Sequence, residues 1–145
     1  ESLTLLEFLP QNARFADIGP GGGLPSIPCL IVRDDLKATL IESKIKKAAF
    51  LNDVVVRLGL SNRVIVVNRQ FEEATAQNFE IVTCRALDKF AVRLRRLVRW
   101  SAKRRLLLFG GPGLEAAISE LHLPVFARRL MPLSQQRFLF VIDPK

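Results

Sequence analysis

The residues of this chain that are best suited to chemistry lie at positions 15–25. An apolar run carries Asp17 near its end, and four of the next five residues after Ile18 are glycines, before Leu24 and Pro25. Glycines let a ligand come close to the backbone, and the N–H groups of such a loop can hold an anion. Proline is common at the start of a helix. The pattern therefore predicts a strand, a ligand-binding loop and a helix, the arrangement of a nucleotide-type cofactor site.

The spacing of the glycines distinguishes between two classes of cofactor. A dinucleotide fingerprint needs a third glycine where this chain has Leu24. The pattern Asp17-x-Gly19-x-Gly21-x-Gly23 instead resembles motif I of S-adenosylmethionine methyltransferases. In that motif the acid would pair with the amino group of the cofactor, directly or through water, and the loop N–H groups would hold its carboxylate. An ordinary turn is the alternative for this loop.

A second acid, Glu42, ends a predicted strand 23 residues after Gly19. A carboxylate in this position can accept hydrogen bonds from both hydroxyls of a ribose. A solvated strand end is the alternative. The combination of strand, loop, helix and second acid favours a cofactor site.

Apolar runs alternate with helical patterns along most of the chain. Strands are predicted at 14–18, 36–41, 63–67, 80–84 and 106–109, and helices at 2–9, 24–32, 44–58, 72–76, 89–101 and 114–121. This alternation predicts a mostly parallel sheet with helices on both faces. Strands at 125–130 and 138–142 have no helical pattern between them, so we expect an antiparallel hairpin. The layout resembles the α/β, Rossmann-like fold of class I S-adenosylmethionine methyltransferases, seven-stranded and in a single domain over residues 1–145.

Length and composition limit the other function classes. The 145 residues suffice for one domain, and the 49 % apolar content can fill its core. No apolar run approaches the roughly 20 residues of a membrane span. Cys29, Cys84 and His122 show no metal-ligand spacing, so no metal is expected. We expect a cytoplasmic protein that is not bound to a membrane.

The net charge of +8 predicts a polyanionic partner. Eight basic residues and no acidic one lie between Lys89 and Arg105. Four of them form a basic face outside the apolar face of the predicted helix, namely Arg93, Arg96, Arg99 and Lys103. Because these clustered charges are expected to lack acidic partners that would offset them, we expect them to contact the phosphates of RNA. A solvated charged face is the alternative, and Trp100 is expected in the core rather than stacked on a base.

Several segments, in order, carry a more specific pattern. They read ESL at 1–3, ADIGPGGGLPSIP at 16–28, LIESKIKKAAFL at 40–51, LGLSN at 58–62 and TCRAL at 83–87. Together they resemble the GidB (RsmG) family, whose members methylate N7 of a guanine in 16S ribosomal RNA. The resemblance implies S-adenosyl-L-methionine as the methyl donor. It also implies 16S ribosomal RNA or the small ribosomal subunit as the partner. We expect the protein to be a monomer.

The resemblance also implies roles for individual residues. Those assigned to the donor are Asp17, Gly19, Gly21, Gly23 and Leu24, with Glu42 on its ribose. Those expected to flank the adenine are Gln70, Phe71, Glu72 and Glu73. Arg69 and Arg85 match arginines that lie close to donor and RNA, with a surface salt bridge as the alternative for each.

The chain departs from the family pattern on the acceptor side. The family's N-terminal helical segment does not precede Glu1 in this sequence, Gly110 stands where a lysine is common, and Phe71 stands where an acid is common. Transfer to guanine N7 needs alignment more than a general base, because N7 has an in-plane lone pair and no proton. No residue is therefore assigned as catalytic. The alternatives are a methyltransferase with a small-molecule or protein acceptor and a non-catalytic binder of donor or RNA.

Overall fold

A computed structural model describes residues 1–85 and 90–144. Its strands are β1 (Arg14–Ile18), β2 (Lys37–Ile41), β3 (Val64–Val67), β4 (Ile81–Cys84), β5 (Arg105–Gly110), β6 (Val125–Leu130) and β7 (Phe138–Ile142). Its α-helices are α1 (Ser26–Val32), α2 (Ile45–Arg57), α3 (Phe90–Ser101) and α4 (Pro112–Glu120). Short 3-10 helices span Ser2–Phe8 and Phe71–Glu73.

The strands form one seven-stranded sheet in the order β3-β2-β1-β4-β5-β7-β6. The first five strands pair in parallel, and β7 lies antiparallel between β5 and β6. The predicted hairpin and class I methyltransferase fold are confirmed. The strand order reverses between β1 and β4, and ligands of such sheets bind outside the carboxyl ends of the strands at this point.

Both faces of the sheet are covered, so alternate residues of each strand enter different cores. Phe15 packs with α1 and α2 through residues such as Leu30 and Leu51. Its neighbour Ala16 belongs to the opposite core, which includes Leu94 of α3 and Leu114 of α4. The near-continuous apolar strands are explained by this two-sided burial.

The predicted helix at 72–76 is wrong. Only the 3-10 turn Phe71–Glu73 forms, and Ala74 is extended with a ψ of 148°. The Ala74 carbonyl accepts a hydrogen bond from Trp100 Nε1 at 2.8 Å, a tertiary contact that propensity does not reveal. Trp100 is half-buried, and its ring centroid lies 5.7 Å from that of Phe71 and 5.6 Å from that of Phe79, which agrees with a core position.

The other predicted elements differ from the structure mainly at their ends. The segment predicted as a helix at 2–9 is a 3-10 helix, and the helix predicted from residue 114 already begins at Pro112. The predicted start of the basic helix at Lys89 lies outside the described residues. Within the described residues, no helix is long and apolar enough to cross a membrane.

Candidate functional site

The glycine loop leaves the carboxyl end of β1 in a conformation that needs glycine. Gly19, Gly21 and Gly23 have φ angles of 67°, 56° and 96°, in the left-handed region. At Gly23 there is also no space, because a Cβ atom would lie 2.8 Å from Cγ1 of Ile27. The three alternating glycines of the motif therefore mark the positions where a side chain would strain this loop.

Hydrogen bonds hold the loop against the ends of neighbouring elements. The Gly19 N–H donates to the Ile41 carbonyl at 2.8 Å, and the Gly23 N–H donates to the Pro20 carbonyl at 2.9 Å. The Gly21 N–H donates to Oε1 of Glu42 at 2.9 Å. Three motif N–H groups are therefore used inside the protein. Within the described part of the chain, the N–H groups of Gly22 and Leu24 have no acceptor and remain available to a ligand.

Asp17 is a completely buried acid at this loop. The Ser26 hydroxyl donates to Oδ2 of Asp17, whereas Oδ1 has no hydrogen-bond partner among the described residues. Burial raises the pKa of Asp17 to about 8; the Ser26 hydrogen bond lowers it, Glu42 raises it and Arg85 lowers it. Without a cation beside it, the carboxyl group is therefore largely protonated at neutral pH.

Glu42 lies at the end of β2 and is 4 % exposed. Its Oε1 accepts from the Gly21 N–H and its Oε2 accepts from the Lys44 N–H, both at 2.9 Å. The carboxylate thus ties the second strand to the glycine loop. Each oxygen keeps further lone-pair capacity for a ligand hydroxyl.

A cleft that is partly open to solvent lies beside the loop. Its lining residues are Ile18, Gly19, Ile41, Ser43, Arg69, Gln70, Phe71, Cys84, Arg93 and Leu97. The structure therefore brings four of the predicted site residues together here, namely Gly19, Arg69, Gln70 and Phe71. Sequence reasoning missed Ser43 and Cys84 as wall residues, although each follows or ends a strand that leads into the site.

The segment after β3 divides between this cleft and α3. Phe71 is 3 % exposed, and the Arg93 guanidinium lies 4.9 Å from its ring centroid. Glu72 does not line the cleft. It forms ion pairs with Arg93 at 3.2 Å and with Arg96 at 3.7 Å. Leu24, also predicted at the site, is 42 % exposed on the glycine loop.

The basic helix is partly neutralised by tertiary contacts. The expectation that its charges lack an acidic partner is wrong for Arg93 and Arg96, because Glu72 reaches them from another element. Arg95, Arg99 and Lys103 are exposed, and the described residues provide no ion pair for them. The basic face available to a partner is therefore smaller than the sequence suggests.

Arg85 directly follows β4, at the same edge of the sheet as Asp17. Its Nε lies 3.4 Å from Oε1 of Glu1, and Nε of Arg137 donates to the same oxygen at 2.9 Å. Two guanidinium groups thus meet one carboxylate beside the site. The last residues of the TCRAL segment, positions 86 and 87, lie outside the described residues.

Gly110 ends β5 where the packing leaves no room for a side chain. A Cβ atom there would lie 2.6 Å from Cδ2 and 2.8 Å from Cβ of Leu114. Because one of these atoms is fixed by the backbone of α4, a rotamer change of Leu114 cannot remove the clash. A lysine side chain at position 110 is therefore incompatible with the contact between β5 and α4 in this structure.

Comparison with known proteins agrees with this architecture. The GidB family model, described as rRNA small subunit methyltransferase G, matches residues 1–113. Ribosomal RNA small subunit methyltransferase G of Chromobacterium violaceum is 40 % identical over 91 residues, which cover 63 % of this chain and 44 % of that protein. The protein of the same name from Neisseria gonorrhoeae is 38 % identical over 111 residues, covering 77 % and 50 %.

The chain spans about half the length, or less, of these curated relatives. Among solved structures, M. capricolum TrmK in complex with S-adenosyl-homocysteine superposes with a TM-score of 0.77 at 12 % identity, covering 99 % of this chain and 67 % of TrmK. This likeness concerns the fold alone. The match over residues 1–113 and the identity with the curated relatives show that the chain belongs to the GidB family.

Proposed function

We propose that this chain is the donor-binding domain of an S-adenosylmethionine-dependent methyltransferase that modifies N7 of a guanine in 16S ribosomal RNA. One observation carries the proposal: Asp17, next to last in β1, and Glu42, directly after β2, lie at the carboxyl ends of neighbouring strands beside a left-handed glycine loop, in a chain of the GidB family. The curated relatives are named for methylation of small-subunit ribosomal RNA. We extend that activity to this chain.

The residues present fit the donor. The unpartnered Oδ1 of Asp17 suits an ammonium group, and the N–H groups of Gly22 and Leu24 suit its carboxylate. Glu42 has lone pairs for the ribose hydroxyls, and the cleft beside Gln70 and Phe71 has an apolar wall for the adenine. The bound donor supplies a methyl group on a sulfonium.

The chain itself has to bind, orient and exclude water. An N7 lone pair attacks without losing a proton, so no general base is needed and alignment dominates the rate. The residues that we assign to the RNA side are Arg69 and Arg85 at the edge of the site and the basic face Arg93, Arg96, Arg99 and Lys103. Arg99 and Lys103 are the members of that face without an ion pair to the described residues, and they support contacts with phosphates. We propose a monomeric enzyme in the cytoplasm.

The test is transfer of a labelled methyl group from S-adenosylmethionine to small-subunit ribosomal RNA. The expected product is N7-methylguanine, identified by mass spectrometry of the digested RNA. Donor consumption with a small molecule or protein as the only labelled product would overturn the RNA assignment. Donor binding without any transfer would support the non-catalytic alternative, which the closed packing at Gly110 favours as the second candidate.

A further inference from the structure

The buried pair of Asp17 and Ser26 has a one-sided hydrogen-bond arrangement. Both side chains have 0 % exposure. The Ser26 hydroxyl donates to Oδ2, and the other carboxyl oxygen, Oδ1, has no partner within the described part of the chain. A buried polar atom without a partner costs free energy, and the cost is larger when the group is charged. An arrangement of this kind is stable with a protonated acid or with a cation beside it.

The surroundings of Asp17 do not supply that cation. Among the described residues, the charged or titratable groups that influence it are Glu42 at the end of β2, Arg85 after β4 and Cys29 of α1. Glu42 disfavours ionisation, and the Arg85 guanidinium is already paired with Glu1. Burial raises the pKa of the Cys29 thiol to about 12, so this group stays neutral.

We propose that Ser26 is a positioning residue for the methyl donor: it fixes Oδ2 of Asp17, leaves Oδ1 for the ligand ammonium, and makes donor binding release the proton of the Asp17 carboxyl group to solvent. This inference rests on the proposed donor site. The proposed donor site by itself specifies neither a role for Ser26 nor the release of a proton, so the inference adds both. The raised pKa of Asp17 agrees with it, since an acid that is protonated before binding has a proton to lose.

Calorimetric titration with S-adenosyl-homocysteine tests the inference without RNA or turnover. Repeating the titration in buffers with different ionisation enthalpies gives the number of protons released. The expected result for the unmodified chain at pH 6.5 is about one proton per ligand, and an association constant that rises about 10-fold per pH unit between pH 6 and 7.5. The ammonium group of the ligand stays protonated over this range.

Variants of the pair separate positioning from simple packing. Ser26→Ala should weaken binding about 10-fold, because one hydrogen bond to an ionised group is lost, and should move the pH dependence to higher pH. Ser26→Thr keeps the hydroxyl and should retain the proton release. Asp17→Asn should release no proton at any pH. Ser101→Ala is the matched control, since Ser101 is equally buried but its hydroxyl donates to the Val98 carbonyl at 2.8 Å, outside the site.

The outcomes distinguish this inference from the proposed function. Normal binding by the unmodified chain with no proton release would overturn the inference and leave the donor site standing. The same conclusion follows if Ser26→Ala binds and titrates like Ser101→Ala. Failure of the unmodified chain to bind the ligand would overturn both.

Discussion

At the scale of single residues, the site depends on two acids in different surroundings. Glu42 accepts two backbone N–H bonds, one on each carboxyl oxygen. Asp17 accepts one hydroxyl bond in a fully buried position, which suits a neutral acid until a cation arrives. The sequence marked both positions by motif, but it could not show this difference, because the difference depends on burial and on the position of Ser26.

The first prediction concerns the stability of the protein without ligand. The folded-state pKa of Asp17, about 8, lies above its ordinary value of 3.8, so the native state binds more protons than the unfolded state between these pH values. The Asp17 contribution is therefore fully present below about pH 4 and is lost as the pH rises to about 8, by at most about 1.4 kcal/mol per pH unit.

Urea unfolding of the unmodified chain and of Asp17→Asn at pH 5, 6, 7 and 8 measures this contribution. The free energy of unfolding of the unmodified chain should fall with pH relative to that of Asp17→Asn. A constant difference between the two proteins would show that Asp17 is ionised in the folded protein throughout this range.

At the scale of elements, the regular sheet could be predicted and its tertiary exceptions could not. Apolar runs, glycines and the hairpin pattern sufficed to predict every strand of the described chain within one residue at each end. The helix predicted at 72–76 does not form, and the Ala74 carbonyl instead accepts a hydrogen bond from Trp100, 26 residues away. Local pattern contains no information about such a partner.

The second prediction concerns the contact between β5 and α4. Gly110→Ala should lower the free energy of unfolding by about 1 to 3 kcal/mol, because its Cβ would overlap with Leu114. Gly111→Ala is the neighbouring control. Its Cβ would meet only the Gln136 carbonyl oxygen at an ordinary 3.5 Å, so we expect a change below about 1 kcal/mol.

Chemical denaturation of the two variants makes the comparison. Equal stabilities would mean that α4 can shift away from β5. In that case the missing lysine would not be explained by packing.

The third prediction concerns Glu72, which neutralises part of α3. Glu72→Gln should free Arg93 and Arg96 and raise the affinity for small-subunit RNA about 2- to 5-fold at low salt. Glu120→Gln removes the same charge from the exposed end of α4 and should have a smaller effect. Fluorescence anisotropy with labelled RNA provides the measurement, and equal gains for both variants would argue against a specific role of this helix.

At the scale of the whole molecule, fewer basic side chains are free for a partner than the net charge of +8 suggests. Arg63 and Arg104 each bind three backbone carbonyls and so connect loops to the sheet. Arg105 pairs with Asp143 at 2.8 Å. These arginines add to the net charge, but their side chains are held by contacts inside the protein. Composition does not reveal which basic residues are held in this way.

The fourth prediction follows from this difference between basic residues that are held inside the protein and those that are free for a partner. Arg99→Gln and Lys103→Gln should each lower RNA affinity and reduce the slope of log affinity against log salt by about one. Lys37→Gln removes the same charge from the exposed start of β2, outside the basic face, and should leave that slope almost unchanged. If all three substitutions act alike, RNA binding depends on overall charge and not on the basic face.

Calorimetric titration of the purified chain with S-adenosyl-homocysteine is the decisive test of the proposed donor site. We predict one binding site per chain, lost in Asp17→Ala and retained in Asp34→Ala, which changes an exposed acid outside the site. No binding by the unmodified chain, or equal binding by both variants, would rule out a donor site at Asp17.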